Sequence, residues 1–188
     1  MKLVRLAAAG RRLLTLCLLA VVLWLGAIGG ASASIRDDRF DGNIYALYAG
    51  NGSLVPPQVT LTQALQAKRP AMVVFYLDDS RDCKQFAGVV SGIQAPYGRL
   101  VDIIPVNADT VNPGQRYGKD QAEYYYKGTV PQVVLFDQQG KVQLDEAGQV
   151  SFEALESRLR RMLALEPRER LEAVQRREVN EFNSELVP

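Results

Sequence analysis

Histidine is missing altogether from the 188 residues. Its absence removes the commonest general base at neutral pH and the commonest transition-metal ligand, which excludes histidine-dependent hydrolytic triads and histidine-held metal centres. Cysteine occurs only as Cys17 and Cys83, too few for a thiolate zinc site and too differently placed for a structural disulfide. A charge excess is lacking as well, since 22 lysines and arginines stand against 21 aspartates and glutamates. Without a basic surplus there is no electrostatic footprint for nucleic acid. No residue pattern asks for a metal or a cofactor, and none is expected. What remains is a chain of 47% hydrophobic residues, enough for one globular domain with appendages.

The first feature that is present is a basic flank. Lys2, Arg5, Arg11 and Arg12 precede an apolar run over 13–28, and the next charge is Arg36. This is the layout of a secretory signal or a membrane anchor. Ala31-Ser32-Ala33 fits a small-residue cleavage site, and cutting there would leave a soluble protein beginning at Ser34. The uncharged stretch 13–35 is also long enough to span a bilayer, which takes roughly 20 apolar residues. A retained anchor is the preferred reading. In either case the basic flank stays on the cytoplasmic side and everything beyond Arg36 lies on the opposite side. Cys17 then sits in lipid, away from Cys83.

Residues 36–52 mix charge, glycine and aromatics without a period and read as an irregular spacer carrying no chemistry. A short strand is expected over 53–59, confined by Pro56 and Pro57 to an edge or a turn. Thr60 or Thr62 caps a helix with Leu61, Ala64 and Leu65 on one face. The apolar run 71–77 has the character of a central strand buried on both faces, and a second buried strand is expected over 100–106. Between them, Phe86, Val89, Val90 and Ile93 are spaced for a helix over 83–93. Beyond the loop at Asn112-Pro113-Gly114, a helix is expected over 118–126. A hairpin of strands 132–136 and 141–145 turns at Gln138-Gln139-Gly140, and an amphipathic helix covers 151–165. This order specifies an α/β fold with a mixed central sheet flanked by helices. After Pro167 the charges alternate in sign, which fits a solvated helical tail or, alternatively, a docking helix. The chain thus divides into a signal or anchor helix (1–35), a spacer (36–52), a globular domain (53–165) and a charged helical tail (166–188).

Three landmarks in the domain carry a family resemblance. Residues 73–84, running Val-Val-Phe-Tyr-Leu-Asp-Asp-Ser-Arg-Asp-Cys-Lys, resemble the thioredoxin strand that ends in Trp-Cys-Gly-Pro-Cys-Lys. Asn107-Ala108-Asp109 with Asn112-Pro113-Gly114 resembles the family's next strand end and its Asp-x-Asn-Pro loop. Gly128-Thr129-Val130-Pro131 resembles the turn that holds its cis-proline. The departures are informative. Ser80 stands at the first cysteine position, so no dithiol can form, and Ser80 cannot replace the nucleophile. Val74 takes the place of the buried acid that serves proton transfer. Asp78, Asp79 and Asp82 crowd Cys83 with negative charge, which opposes a thiolate. The stretch from Gly114 to Pro131 is longer than in a minimal thioredoxin, and its Tyr124-Tyr125-Tyr126 cluster reads as packing.

A membrane-leading chain with a Ser-x-x-Cys remnant is similar to the cyanobacterial thylakoid membrane photosystem I accumulation factors. That resemblance implies a noncatalytic assembly factor in the thylakoid, with photosystem I subunits or assembly factors as clients and the domain on the lumenal side. It implies a degenerate site at Ser80 and Cys83 and a peptide-binding edge at Val130 and Pro131, where an extended client would pair with main-chain groups. The alternative is a monothiol redox protein acting through Cys83, and a purely structural tethered domain is a third class.

Overall fold

Strand β1 (Ala71–Tyr76) is buried at every position, as expected of a strand covered on both faces. It is flanked by β2 (Asp102–Asn107), in parallel, and by β3 (Gln132–Phe136), antiparallel. Strand β4 (Val142–Ala147) closes a four-stranded sheet of order β2-β1-β3-β4. The computed structural model describes residues 16–20 and 33–166. Most of the expected signal or anchor segment, and the tail from residue 167 onward, lie outside the described residues.

The chain divides into two units, Met1–Ala33 and Ser34–Pro188. In the first, residues 16–20 are helical, with Leu16, Leu18 and Leu19 exposed. No helix among the described residues is long and apolar enough to cross a membrane.

In the second unit the period-2 alternation of the strands sorts two cores. Met72, Val74, Tyr76, Val133 and Leu135 face one layer, built with helices α1 (Ile44–Ala49), α3 (Arg81–Tyr97) and α4 (Phe152–Met162). Ala71, Val73, Phe75, Val134 and Phe136 face the other, packed with Leu61 and Ala64 of helix α2 (Leu61–Gln66). Thr60, not Thr62, caps α2, in a reciprocal box with Gln63. Gly140 ends the hairpin turn with φ of 74°, a left-handed conformation that glycine adopts without a Cβ clash.

Four sequence expectations are corrected. The stretch 36–52 is no irregular spacer throughout: it contains α1, capped by Asn43, with Ile44 and Tyr45 buried. No strand forms over 53–59, where a 3-10 turn (Gly52–Leu54) leads into the cis Val55–Pro56 bond. Strand β2 is an edge strand, only half covered. The Asp102 N–H donates to the Pro70 carbonyl at 2.9 Å, so by alternation the backbone groups of Ile103, Pro105 and Asn107 face the open edge. Pro105 therefore lacks its N–H where a neighbouring strand would need one, a common protection of sheet edges. Finally, the segment 118–126 forms only a 3-10 turn (Ala122–Tyr125) rather than an α-helix. Tyr125 packs edge-on against Phe136 and Tyr126 against Phe75, so tertiary packing of the rings sets that backbone.

Candidate functional site

Helix α3 begins where β1 runs out, and Ser80 is its N-cap: Oγ accepts the Cys83 N–H at 3.3 Å. Phe86, Ala87, Val90, Ile93 and Tyr97 line its buried face, so the helix is pinned to the sheet and its first turn is held at the strand end. Cys83 lies in that first turn with 1% of its surface exposed. Its Sγ accepts the Leu77 N–H at 3.5 Å. Burial pushes the thiol pKa up; bonds from Ser80 and Leu77 favour the thiolate, while Asp82 and Asp78 disfavour it, and the net shift is upward. The expected crowding by three aspartates is thus realised by two, and burial outweighs both. A thiol raised in this way is a poor nucleophile near neutral pH.

Asp78 joins three elements. Its carboxylate accepts the Ile44 N–H at 3.0 Å and Asn107 Nδ2 at 3.2 Å. Burial raises its pKa, against the bond from Ile44. It ties α1 and the end of β2 to the end of β1. Val74 is fully buried, in register with Pro105 on β2 and Val133 on β3.

The other half of the site is the turn before β3. The Val130–Pro131 peptide bond is cis. Pro131 is buried and its carbonyl accepts the Gly148 N–H at 2.7 Å. Val130 is half-buried, with its side chain against both cores. Cys83 and Val130 therefore share one apolar cluster. Among the described residues nothing hydrogen-bonds the Val130 backbone.

Gln132 fixes the turn from below. It is fully buried, its Oε1 accepts the Lys127 N–H at 2.9 Å, and its Nε2 donates to the Tyr125 carbonyl at 2.8 Å and to Asp145 Oδ1 at 2.9 Å. Lys127 Nζ pairs with the same carboxylate at 2.8 Å. One amide thus joins β3, β4 and the turn with its polar atoms satisfied.

Sequence reasoning missed Gln132, and it missed Lys84. The Lys84 side chain is fully buried and its ammonium bonds residues 34–41, which the sequence reading left without a role. Asp37, Asp38 and Asp41 in that short stretch were the available signal. Lys84, the partner of Asp37 and Asp41, and the Arg81 amide, the partner of Asp38, lie more than forty positions away, and no local pattern names them. Among the described residues, no group of three or more cysteines, aspartates and glutamates is arranged to hold a metal ion.

A mixed sheet sandwiched by helices, with the capped α3 start at one strand end and a cis-proline turn beside it, defines a protein of the thioredoxin class. Residues 57–163 match the thioredoxin-like domain, and the chain belongs to that family. It is 48% identical over 159 residues to the thylakoid membrane protein slr1796 of Synechocystis sp., a match covering 85% of this chain and 79% of that protein. Two solved structures are also similar. One, described as a malarial protein, shares 15% identity over 50% of this chain and 98% of its own, with a TM-score of 0.41. The other, thioredoxin-2 of the malaria parasite's protein secretion machinery, shares 14% over 50% of this chain and 82% of its own, with a TM-score of 0.42.

Proposed function

We propose that this protein is a noncatalytic, membrane-associated binding module of the thylakoid that assists accumulation of photosystem I. The observation that carries the reading is the contrast within one site: the Cys83 thiol is shut in, while the Val130 backbone is left without a partner among the described residues. A redox cycle needs an accessible thiolate and a second sulfur. Client capture needs only an extended segment to pair with free main-chain groups. Ser80 and Cys83 are then a degenerate remnant whose present work is to cap and pack the start of α3. The thylakoid location is supported by the Synechocystis relative, and photosystem I subunits or assembly factors are the proposed clients. The domain is placed on the lumenal side, behind a single N-terminal anchor or, in the alternative, released by cleavage after Ala33.

Complementation of a deletion strain, scored by photosystem I content, tests the function. Cys83→Ser should rescue. Val130→Arg should not, provided that variant first melts near the parent temperature. Loss of rescue by Cys83→Ser together with full rescue by a folded Val130→Arg would overturn the binding reading in favour of monothiol chemistry. Topology is read separately: the domain should resist protease added to the cytoplasmic face of intact membranes, and digestion there would overturn the lumenal placement.

A further inference from the structure

Residues 34–47 carry three large apolar side chains at the surface: Ile35 is 38% exposed, Phe40 72% and Leu47 49%. One carboxylate draws them together. Asp41 Oδ2 accepts the Ser34 N–H at 3.3 Å, the Tyr48 O–H and a proton of Lys84 Nζ at 2.7 Å. Ile35 follows Ser34, Phe40 precedes Asp41 and Leu47 precedes Tyr48, so each exposed side chain stands one position from Asp41 or from a residue bound to it. Leu47 also lies against this turn, its Cδ1 3.1 Å from where a Cβ on Gly42 would stand. The carboxylates of the stretch are engaged by α3: Asp37 and Asp41 by Lys84, and Asp38 by the Arg81 N–H at 2.8 Å. Negative charge is thus drawn to the domain, while Ile35 and Phe40 stay outside with Arg36 and Arg39, both exposed.

A group of exposed apolar side chains marks an interaction surface, and the chain itself names the partner. Ile35 closes the uncharged stretch 13–35 and lies seven positions beyond Ile28, the end of the apolar run. Fully extended, that much chain reaches at most about 25 Å. The patch therefore stays close to any bilayer that holds the run. An aromatic ring and basic side chains beside aliphatic ones are the composition that settles at the boundary between lipid headgroups and acyl chains. We propose that Ile35, Phe40 and Leu47 form an interfacial patch that dips into the lipid surface, beside the first turn of α3 to which Lys84 ties it. The proposal rests on the reading of 13–35 as a retained anchor, and it is independent of the client-binding reading.

The sequence holds a single tryptophan, Trp24, inside the apolar run, so fluorescence reads one position at a time. Full-length protein is reconstituted into vesicles of phosphatidylcholine and phosphatidylglycerol, with or without bromine on the acyl chains. Bromination should quench Trp24 in the parent. In Trp24→Phe/Phe40→Trp, emission should fall by about twofold or more on bromination, as an indole at the acyl boundary requires. The control is Trp24→Phe/Tyr124→Trp. Tyr124 is 48% exposed and stands edge-on to Tyr125, which packs on Phe136 in the other core layer, so emission there should hold. Quenching of the parent without quenching in the Phe40→Trp protein overturns the proposal and leaves the anchor standing; no quenching in the parent overturns both. Equal quenching at positions 40 and 124 also overturns it, and so does a blue shift at position 40 without bromine quenching, which marks a protein contact instead. Should the Phe40→Trp protein lose its cooperative melt, Leu47→Trp in the same background decides by the same criteria.

Discussion

At the start of α3 the Cys83 thiol is buried beside its helix cap and the Leu77 amide, in one cluster with α1; at the turn before β3 the half-buried Val130 has no backbone hydrogen-bond partner among the described residues. Both belong to one apolar cluster, and the polar atoms that support them come from different places. The closed side takes its polar contacts from Leu77 and Ser80, within the stretch that matches the family, and adds α1 from ahead of that stretch. The open side is held from within the family domain, through Gln132, Lys127 and Asp145. The two halves thus differ in their hydrogen-bond supports while sharing one apolar cluster.

The strongest challenge to that difference is Tyr45→Ala. Tyr45 is buried to 1% exposure, packed edge-on to Tyr76, and its hydroxyl is held well above the usual tyrosine range, chiefly by burial. Removing the ring should cost about 3–5 kcal/mol in urea denaturation, the range for deleting a large buried aromatic. A loss below about 1 kcal/mol would mean that α1 is not part of the closed side.

Next in size is Gln132→Ala on the open side. It strands the Lys127 N–H and the Tyr125 carbonyl that the amide now satisfies, at a cost of about 1–3 kcal/mol. Hydrogen exchange over 125–131 should accelerate while exchange in α3 does not. Acceleration in both would join the two halves that the structure separates.

Ser80→Ala sharpens the comparison on the closed side alone. Loss of the N-cap should cost about 0.5–2 kcal/mol. The Cys83 thiol should titrate still higher, because Ser80 is one of the two groups whose bonds favour the thiolate. A thiol titration that moves downward instead would show that Ser80 does not act on Cys83.

The smallest effect is an acid titration of Asp41, which Lys84 and Tyr48 hold on the closed side. Hydrogen bonds from Lys84 and then Tyr48 hold the Asp41 carboxyl at about 2, below its ordinary 3.8. A depressed folded-state value means that the stabilisation is present above the ordinary carboxylate range and is lost as pH falls from about 4 toward about 2. Burial opposes the Lys84 ammonium, but bonds to Asp41 and Asp37 outweigh it and its pKa is raised. The Lys84–Asp41 pair should hold through mildly acidic pH. Carbon NMR of the Asp41 carboxyl should give a midpoint near 2, and a midpoint at or above 3.8 would show that Lys84 does not hold Asp41.

Local pattern determined much of this molecule. The unbroken apolar run at 71–76 read as a strand covered on both faces, and Phe86, Val89, Val90 and Ile93 read as a helix from 83 against it, although the Ser80 cap that starts the helix two residues earlier was not seen. The hairpin at Gly140 and the family landmarks were legible for the same reason: backbone constraint and periodicity act over a few residues and leave their mark in order. Tertiary structure decided the rest. A burial pattern could not show that β2 is an edge strand, because strand order is a matter of partners far along the chain. Nor could composition show that Lys84 is buried beneath residues 34–41, or that Gln132 spends both ends of its amide on the turn that carries Val130. A buried polar side chain is stabilised only by partners that reach it in three dimensions, and those partners carry no spacing that a sequence can display.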